Sequence, residues 1–119
     1  MQSRSQPISN DGHASPRLNP VISSVLGLVA CAVPAQAKTI EIDIEDLAFS
    51  PTEIDASVGD VVQWVNKDIV DHTATANGGF DVTIPAGTSA SIDLRNAGAV
   101  DYFCRFHPNM TGRIVIAPK

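Results

Sequence analysis

Cys104, His107 and Met110 stand at C-x2-H-x2-M spacing directly after a β-branched and aromatic run, Val100 to Phe103. A second histidine, His72, opens another β-prone stretch far upstream. Taken singly, each has an ordinary explanation: a cysteine is commonly a small buried hydrophobe, a histidine beside Pro108 a surface residue, a methionine a core filler. Taken together, two imidazoles, a thiolate and a weak axial thioether are the ligand set of an electron-transfer copper site. The sulfur donors suit Cu(I), and imidazole suits both Cu(I) and Cu(II). A site acceptable to both states needs little rearrangement when one electron arrives. The residues therefore predict one copper ion at a type 1 site, held by His72, Cys104, His107 and Met110. No general base, nucleophile or open coordination position accompanies them, so the sequence predicts a carrier and not an enzyme. Two other readings use the same residues. One is a copper carrier that delivers metal instead of electrons. The other is a structural zinc site, against which Met110 argues, because a thioether is a poor zinc ligand.

These donors need a scaffold, and the chain is long enough for one modest domain. It has 119 residues, 44% hydrophobic and 18% charged, with a net charge of −5. The apolar fraction is that of a globular protein. The acidic balance argues against a nucleic-acid partner and permits a partner with a basic docking surface.

Residues 1–37 differ from the rest of the chain. Arg4 and Arg17 precede the apolar run Val21 to Val33, which ends in Pro34-Ala35-Gln36-Ala37. A basic flank, a short apolar core and an A-x-A site are the parts of a secretory signal peptide. An apolar helix from 21 to 33 would span about 20 Å, short of a hydrocarbon core of about 30 Å. The expectation is an exported protein, periplasmic or secreted, whose domain is 38–119 and has no membrane span. Leu28-Val29-Ala30-Cys31 offers a competing lipobox, which would anchor the chain through Cys31. After cleavage at Ala37, Cys104 is unpaired, and a metal–thiolate bond would explain a lone thiol in an oxidising compartment.

Within 38–119 the pattern is that of strands. Ile40 to Glu45 alternates apolar and acidic residues with period two, the mark of a half-buried strand. Glu53–Val58, Val61–Val65, His72–Ala76, Thr88–Leu94, Val100–Cys104 and Gly112–Ala117 read as further strands, with a loop at 105–111. Turn signals at Gly59-Asp60, Asn66–Asp68, Asn77–Gly79, Pro85–Gly87 and Asn96–Gly98 separate them. Short strands at such spacing, with no helical period, predict an all-β antiparallel sandwich. Trp64 and Tyr102 read as core, and Tyr102 stands two residues before Cys104, as the tyrosine of a tyrosine corner does.

Three phrases carry a resemblance: Gly59-Asp60-Val61-Val62-Gln63-Trp64-Val65-Asn66, then Asp71-His72, then Ala97 to Gly112 through Cys104-Arg105-Phe106-His107-Pro108-Asn109-Met110. Over about residues 40–117 the chain resembles the cupredoxins, and within them amicyanin more than plastocyanin or pseudoazurin, because only two residues separate His107 from Met110. The resemblance implies a Greek-key sandwich of eight strands with copper at one end. It also implies an electron carrier, here expected to be monomeric, that docks transiently with redox proteins near His107 and takes no small-molecule substrate. Two positions depart from the pattern. Asp71 and Thr73 flank His72 where the family usually has Pro and Asn. That Asn helps lock the two ligand segments together, which Thr73, with one hydroxyl, is expected to do less well. Asp71 is expected to place a carboxylate close to the site.

Overall fold

The computed structural model describes residues 36–119, together with Ser3, Gly12 and Gly27. The export segment predicted over 1–37, with its apolar run and Cys31, lies almost wholly outside the described residues. Within them no helix is long and apolar enough to cross a membrane.

Among the described residues nine strands form two sheets: β1 Thr39–Glu45, β2 Ala48–Ser50, β3 Glu53–Ser57, β4 Val61–Asn66, β5 His72–Thr75, β6 Asp81–Ile84, β7 Ser89–Asp93, β8 Gly98–Cys104 and β9 His107–Ala117. The four-stranded sheet runs β2-β1-β4-β7 and the five-stranded sheet runs β3-β9-β8-β5-β6. The chain passes repeatedly from one sheet to the other, so the all-β sandwich is as expected. Its sheets are mixed, however, because β1 pairs parallel to β4 and β3 parallel to β9. The sequence shows strand period but not direction, and long crossovers between sheets allow parallel neighbours.

Alternation decides what each strand buries. In β1, Ile42 and Ile44 face the core while Glu41 and Glu45 face solvent. In β4, Val62 and Trp64 are fully buried. From the other sheet Ala74, Tyr102, Cys104, Ile114 and Ile116 meet them. Each fully buried Ile contributes about 1.5–3 kcal/mol relative to exposure. At the centre the Tyr102 ring lies edge-on to Phe49 at 4.7 Å and to Trp64 at 5.6 Å. Gly112 makes room for it: a Cβ there would collide with Cζ and Oη of Tyr102.

Two strands are additions to the expected set. β2 is the short return arm of a hairpin whose turn is Asp46-Leu47, both at positive φ (53° and 61°). This is the twist that two-residue hairpins favour, reached here without Asn or Gly. β6 has only Val82 and Ile84 turned inward, too short an alternation to read. The loop expected at 105–111 is tighter than its length suggests. Cys104 pairs with His107 across a turn at Arg105-Phe106, and Phe103 pairs with Thr111. Residues 108–110 thus bulge from β9 with no partner in that register, so Cys104 and His107 flank a two-residue turn and Met110 comes from the bulge beside it.

Candidate metal centre

Asn66, buried, and Asp68, partly buried, prepare the upstream half of the site. Asn66 Nδ2 donates to the Val70 carbonyl (2.9 Å) and the Ile84 carbonyl (3.0 Å), and its Oδ1 accepts from the Asp68 amide (2.9 Å). This fixes the loop from 67 to 71. Asp68 then reaches His72, with Oδ2 at 2.8 Å from Nε2. The same carboxylate accepts the amides of Asp46 (2.8 Å) and Leu47 (3.0 Å). Burial alone would raise the Asp68 pKa. Hydrogen bonds from the Leu47 amide, the His72 ring and the Asp46 amide outweigh it and hold the carboxyl below its ordinary range.

His72 is fully buried at the start of β5. With Nε2 held by Asp68, its Nδ1 faces Cys104 Sγ at 3.7 Å. His107 Nδ1 faces the same sulfur at 3.6 Å. The donor atoms of His72, Cys104 and His107 lie within 4.8 Å of one another. These N···S separations are long for hydrogen bonds but suit a shared ion. Bonds of about 2.0 Å to nitrogen and about 2.3 Å to sulfur at trigonal angles put N and S roughly 3.7 Å apart. Met110 is buried at the end of the inward stripe Met110, Gly112, Ile114, Ile116 of β9, within the same core cluster as Cys104.

Cys104 is buried, which would push its thiol up. The Thr73 amide, both histidine rings and the Phe106 amide oppose this and pull it down to about 6. The fold is thus arranged for a thiolate, the form that binds metal.

The two departures beside His72 each make defined contacts. Thr73 does lock the ligand segments: its amide donates to Cys104 Sγ (3.3 Å) and its hydroxyl accepts the Arg105 amide (2.8 Å). The Asp71 carboxylate accepts the Ala86 amide at 2.8 Å and braces the neighbouring loop. Asp68, which sequence reasoning misses, holds the carboxylate that meets a donor. A carboxylate four residues before a candidate ligand is the available signal.

Around the half-buried His107 the surface is apolar. Leu47, Ile69 and Val70 line a hollow with His107, Asp46 and Asp68. Ile69 is 95% exposed and Phe106 is 53% exposed, the latter under the Arg105 guanidinium at 5.6 Å.

With this geometry in hand, comparison with known proteins is decisive. The cupredoxin-like domain family matches residues 21–116. The chain belongs to that family. Amicyanin of Paracoccus versutus is 26% identical to this cupredoxin over 102 residues, 80% of this chain and 76% of that protein. Amicyanin-alpha of Methylorubrum extorquens is 27% identical over 97 residues, 76% and 82% of the two chains. Among solved structures, an amicyanin variant in its reduced state superposes with a TM-score of 0.61 at 28% identity, covering 66% of this cupredoxin and 81% of that chain.

Proposed function

We propose that this cupredoxin is an exported electron carrier whose single copper ion is held by His72, Cys104, His107 and Met110. The observation that carries the reading is the pair of Nδ1 atoms at 3.7 Å and 3.6 Å from one buried sulfur. When bound, copper would supply a one-electron couple between Cu(I) and Cu(II). The protein's part is to hold the donors still. Asp68 fixes the His72 ring, Thr73 fixes the sulfur and the turn after it, and the buried core around Met110 excludes water. His72 and Cys104 are each anchored by a second contact, to Asp68 and to the Thr73 amide, so these two donors need move little when charge changes by one, which favours fast transfer.

His107 is the port. Its ring reaches the surface hollow while its Nδ1 faces the sulfur. Leu47, Ile69, Val70 and Phe106 give a partner an apolar surface for brief, weak docking. Asp46 at the edge of the hollow and the net charge of −5 favour a redox partner that carries basic groups. The carrier acts as a monomer in the periplasm or outside the cell.

Copper titration tests this directly. Cu(II) added to the metal-free protein gives an intense visible thiolate-to-copper band at one equivalent, and Cys104→Ser abolishes it. The loaded protein exchanges electrons with a second copy while retaining its metal. A colourless adduct rejects the site, and rapid loss of copper to a chelator points to metal delivery instead.

A further inference from the structure

His72 and Cys104 come from adjacent strands with little backbone pairing between them. β5 and β8 are in register at one residue pair, Thr75 with Phe103. A row of side chains spans the gap. Arg105 N donates to Thr73 Oγ1 at 2.8 Å, Thr73 Oγ1 lies 2.9 Å from Thr75 Oγ1, and Thr75 Oγ1 donates to Asp81 Oδ1 at 2.8 Å. Arg105 Nε closes the ring on the same Asp81 oxygen at 3.1 Å.

The direction of this row is fixed by proton counting. A hydroxyl has one proton, and an ionised carboxylate only accepts. Thr75 must spend its proton on Asp81. In the contact between the two threonines Thr75 therefore accepts and Thr73 donates. Thr73 then has a lone pair to receive the Arg105 amide, the first amide after Cys104. Thr73 is fully buried and Thr75 nearly so, so water does not compete, and bonds aligned in one direction strengthen each other.

We infer that Thr73, Thr75 and Asp81 are positioning residues for the metal centre, a one-way hydrogen-bonded relay from a surface carboxylate to the turn that carries Cys104 and His107. It deepens the copper reading and rests on it for its spectroscopic consequence. Asp81 and Thr75 touch no donor atom. They act by orienting the Thr73 hydroxyl, and through it the Arg105 amide that sets where Cys104 and His107 stand.

The test compares Thr75→Val, which keeps the shape and removes the hydroxyl, with Thr75→Ser, which restores it. In the copper-loaded full chain, Thr75→Val shifts and weakens the thiolate-to-copper band and Thr75→Ser returns it to the parent position. In the metal-free chain, amide hydrogen exchange at Arg105 accelerates roughly tenfold or more in Thr75→Val, the loss of about one buried hydrogen bond, and recovers in Thr75→Ser. A parent-like band together with unchanged Arg105 exchange in Thr75→Val overturns the relay. If the parent itself gives no coloured copper adduct, the copper reading fails, and Arg105 exchange alone decides the relay. If Thr75→Val does not fold, Asp81→Ala at the exposed end takes its place, with the same band shift and the same faster exchange expected and their absence overturning the inference.

Discussion

Asp68 Oδ2 lies 2.8 Å from His72 Nε2, on the side of the imidazole away from Cys104. That contact fixes which nitrogen is left for metal. The same carboxylate caps the amides of Asp46 and Leu47, two residues at positive φ that cost roughly 1–3 kcal/mol each in strain. One side chain thus orients the His72 imidazole and holds the turn that places Leu47 in the hollow lined by His107. Removing a partner of this kind typically lowers metal affinity about 10- to 100-fold. Asp68→Ala should show that loss in a copper competition titration and should also reduce folding stability by about 2 kcal/mol in urea. Asp68→Asn, which keeps an acceptor oxygen, should lose less of both. Parent-like affinity in Asp68→Ala would remove Asp68 from the metal centre.

Ile69 contributes almost nothing to the core, being 95% exposed, yet it borders the hollow that His107 lines. Ile69→Asp should therefore leave the unfolding midpoint, the visible band and the reduction potential as they were. Under the proposed function two copies meet through this surface during self-exchange, and the substitution then places like charges across the encounter. Electron self-exchange, read from NMR line broadening, should slow by roughly tenfold or more, and added salt should recover part of the rate. An unchanged rate would mean that electrons leave by another face.

The cluster of His72, Cys104 and His107 is legible in the sequence because its chemistry is local: Cys104 and His107 share one segment, and His72 is the only other histidine in residues 38–119. The strands with strong alternation, β1, β4 and β7, are legible for the same reason, since period two needs only near neighbours. β6 is not, because it turns just Val82 and Ile84 inward. The parallel pairings of β1 with β4 and β3 with β9 depend on which sheet each crossover enters, which no local pattern encodes. Nor can the sequence separate Asp68 from Asp71 as the partner of His72. Asn66 decides that by fixing the loop through the carbonyls of Val70 and Ile84, and a buried amide spanning such distances is invisible until the chain is folded. Thr73 looks weak as a lock when its hydroxyl is counted alone, without Thr75 and Asp81 behind it.

Gly112 is held to glycine by packing and not by backbone angle. Any Cβ there meets the Tyr102 ring, which is itself fixed between Phe49 and Trp64. Gly112→Ala must displace that ring or open the pairing of Tyr102 with Gly112. Overpacking of this kind costs about 1–3 kcal/mol, or a fall in melting temperature of about 4–8 °C per kcal/mol for a domain of this size. Calorimetry of the parent and variant gives the answer, and an unshifted midpoint would show that the ring has space to yield.

Tyr102 is the chain's only tyrosine, so phenolate absorbance reports on it alone. Burial raises its pKa to about 12 against a weaker opposing hydrogen bond from Trp64 Nε1, 3.4 Å from the phenol oxygen. The folded protein therefore keeps the proton where an unfolded chain, at the ordinary value of about 10, has begun to lose it. Between about pH 10 and pH 12 the native state binds more protons than the unfolded state, so stability falls as pH rises. Tyr102 contributes its full share below pH 10 and has lost about 2–3 kcal/mol once pH passes 12. Alkaline titration should show no phenolate near pH 10.5 while the circular dichroism is native, and phenolate and unfolding should then appear together. Tyr102→Phe keeps the ring and removes the ionisable proton, so this part of its alkaline instability should vanish. A phenolate signal at its ordinary pH in a still-folded protein would mean that the ring is open to water and that the core around it is looser than the contacts with Phe49 and Trp64 describe.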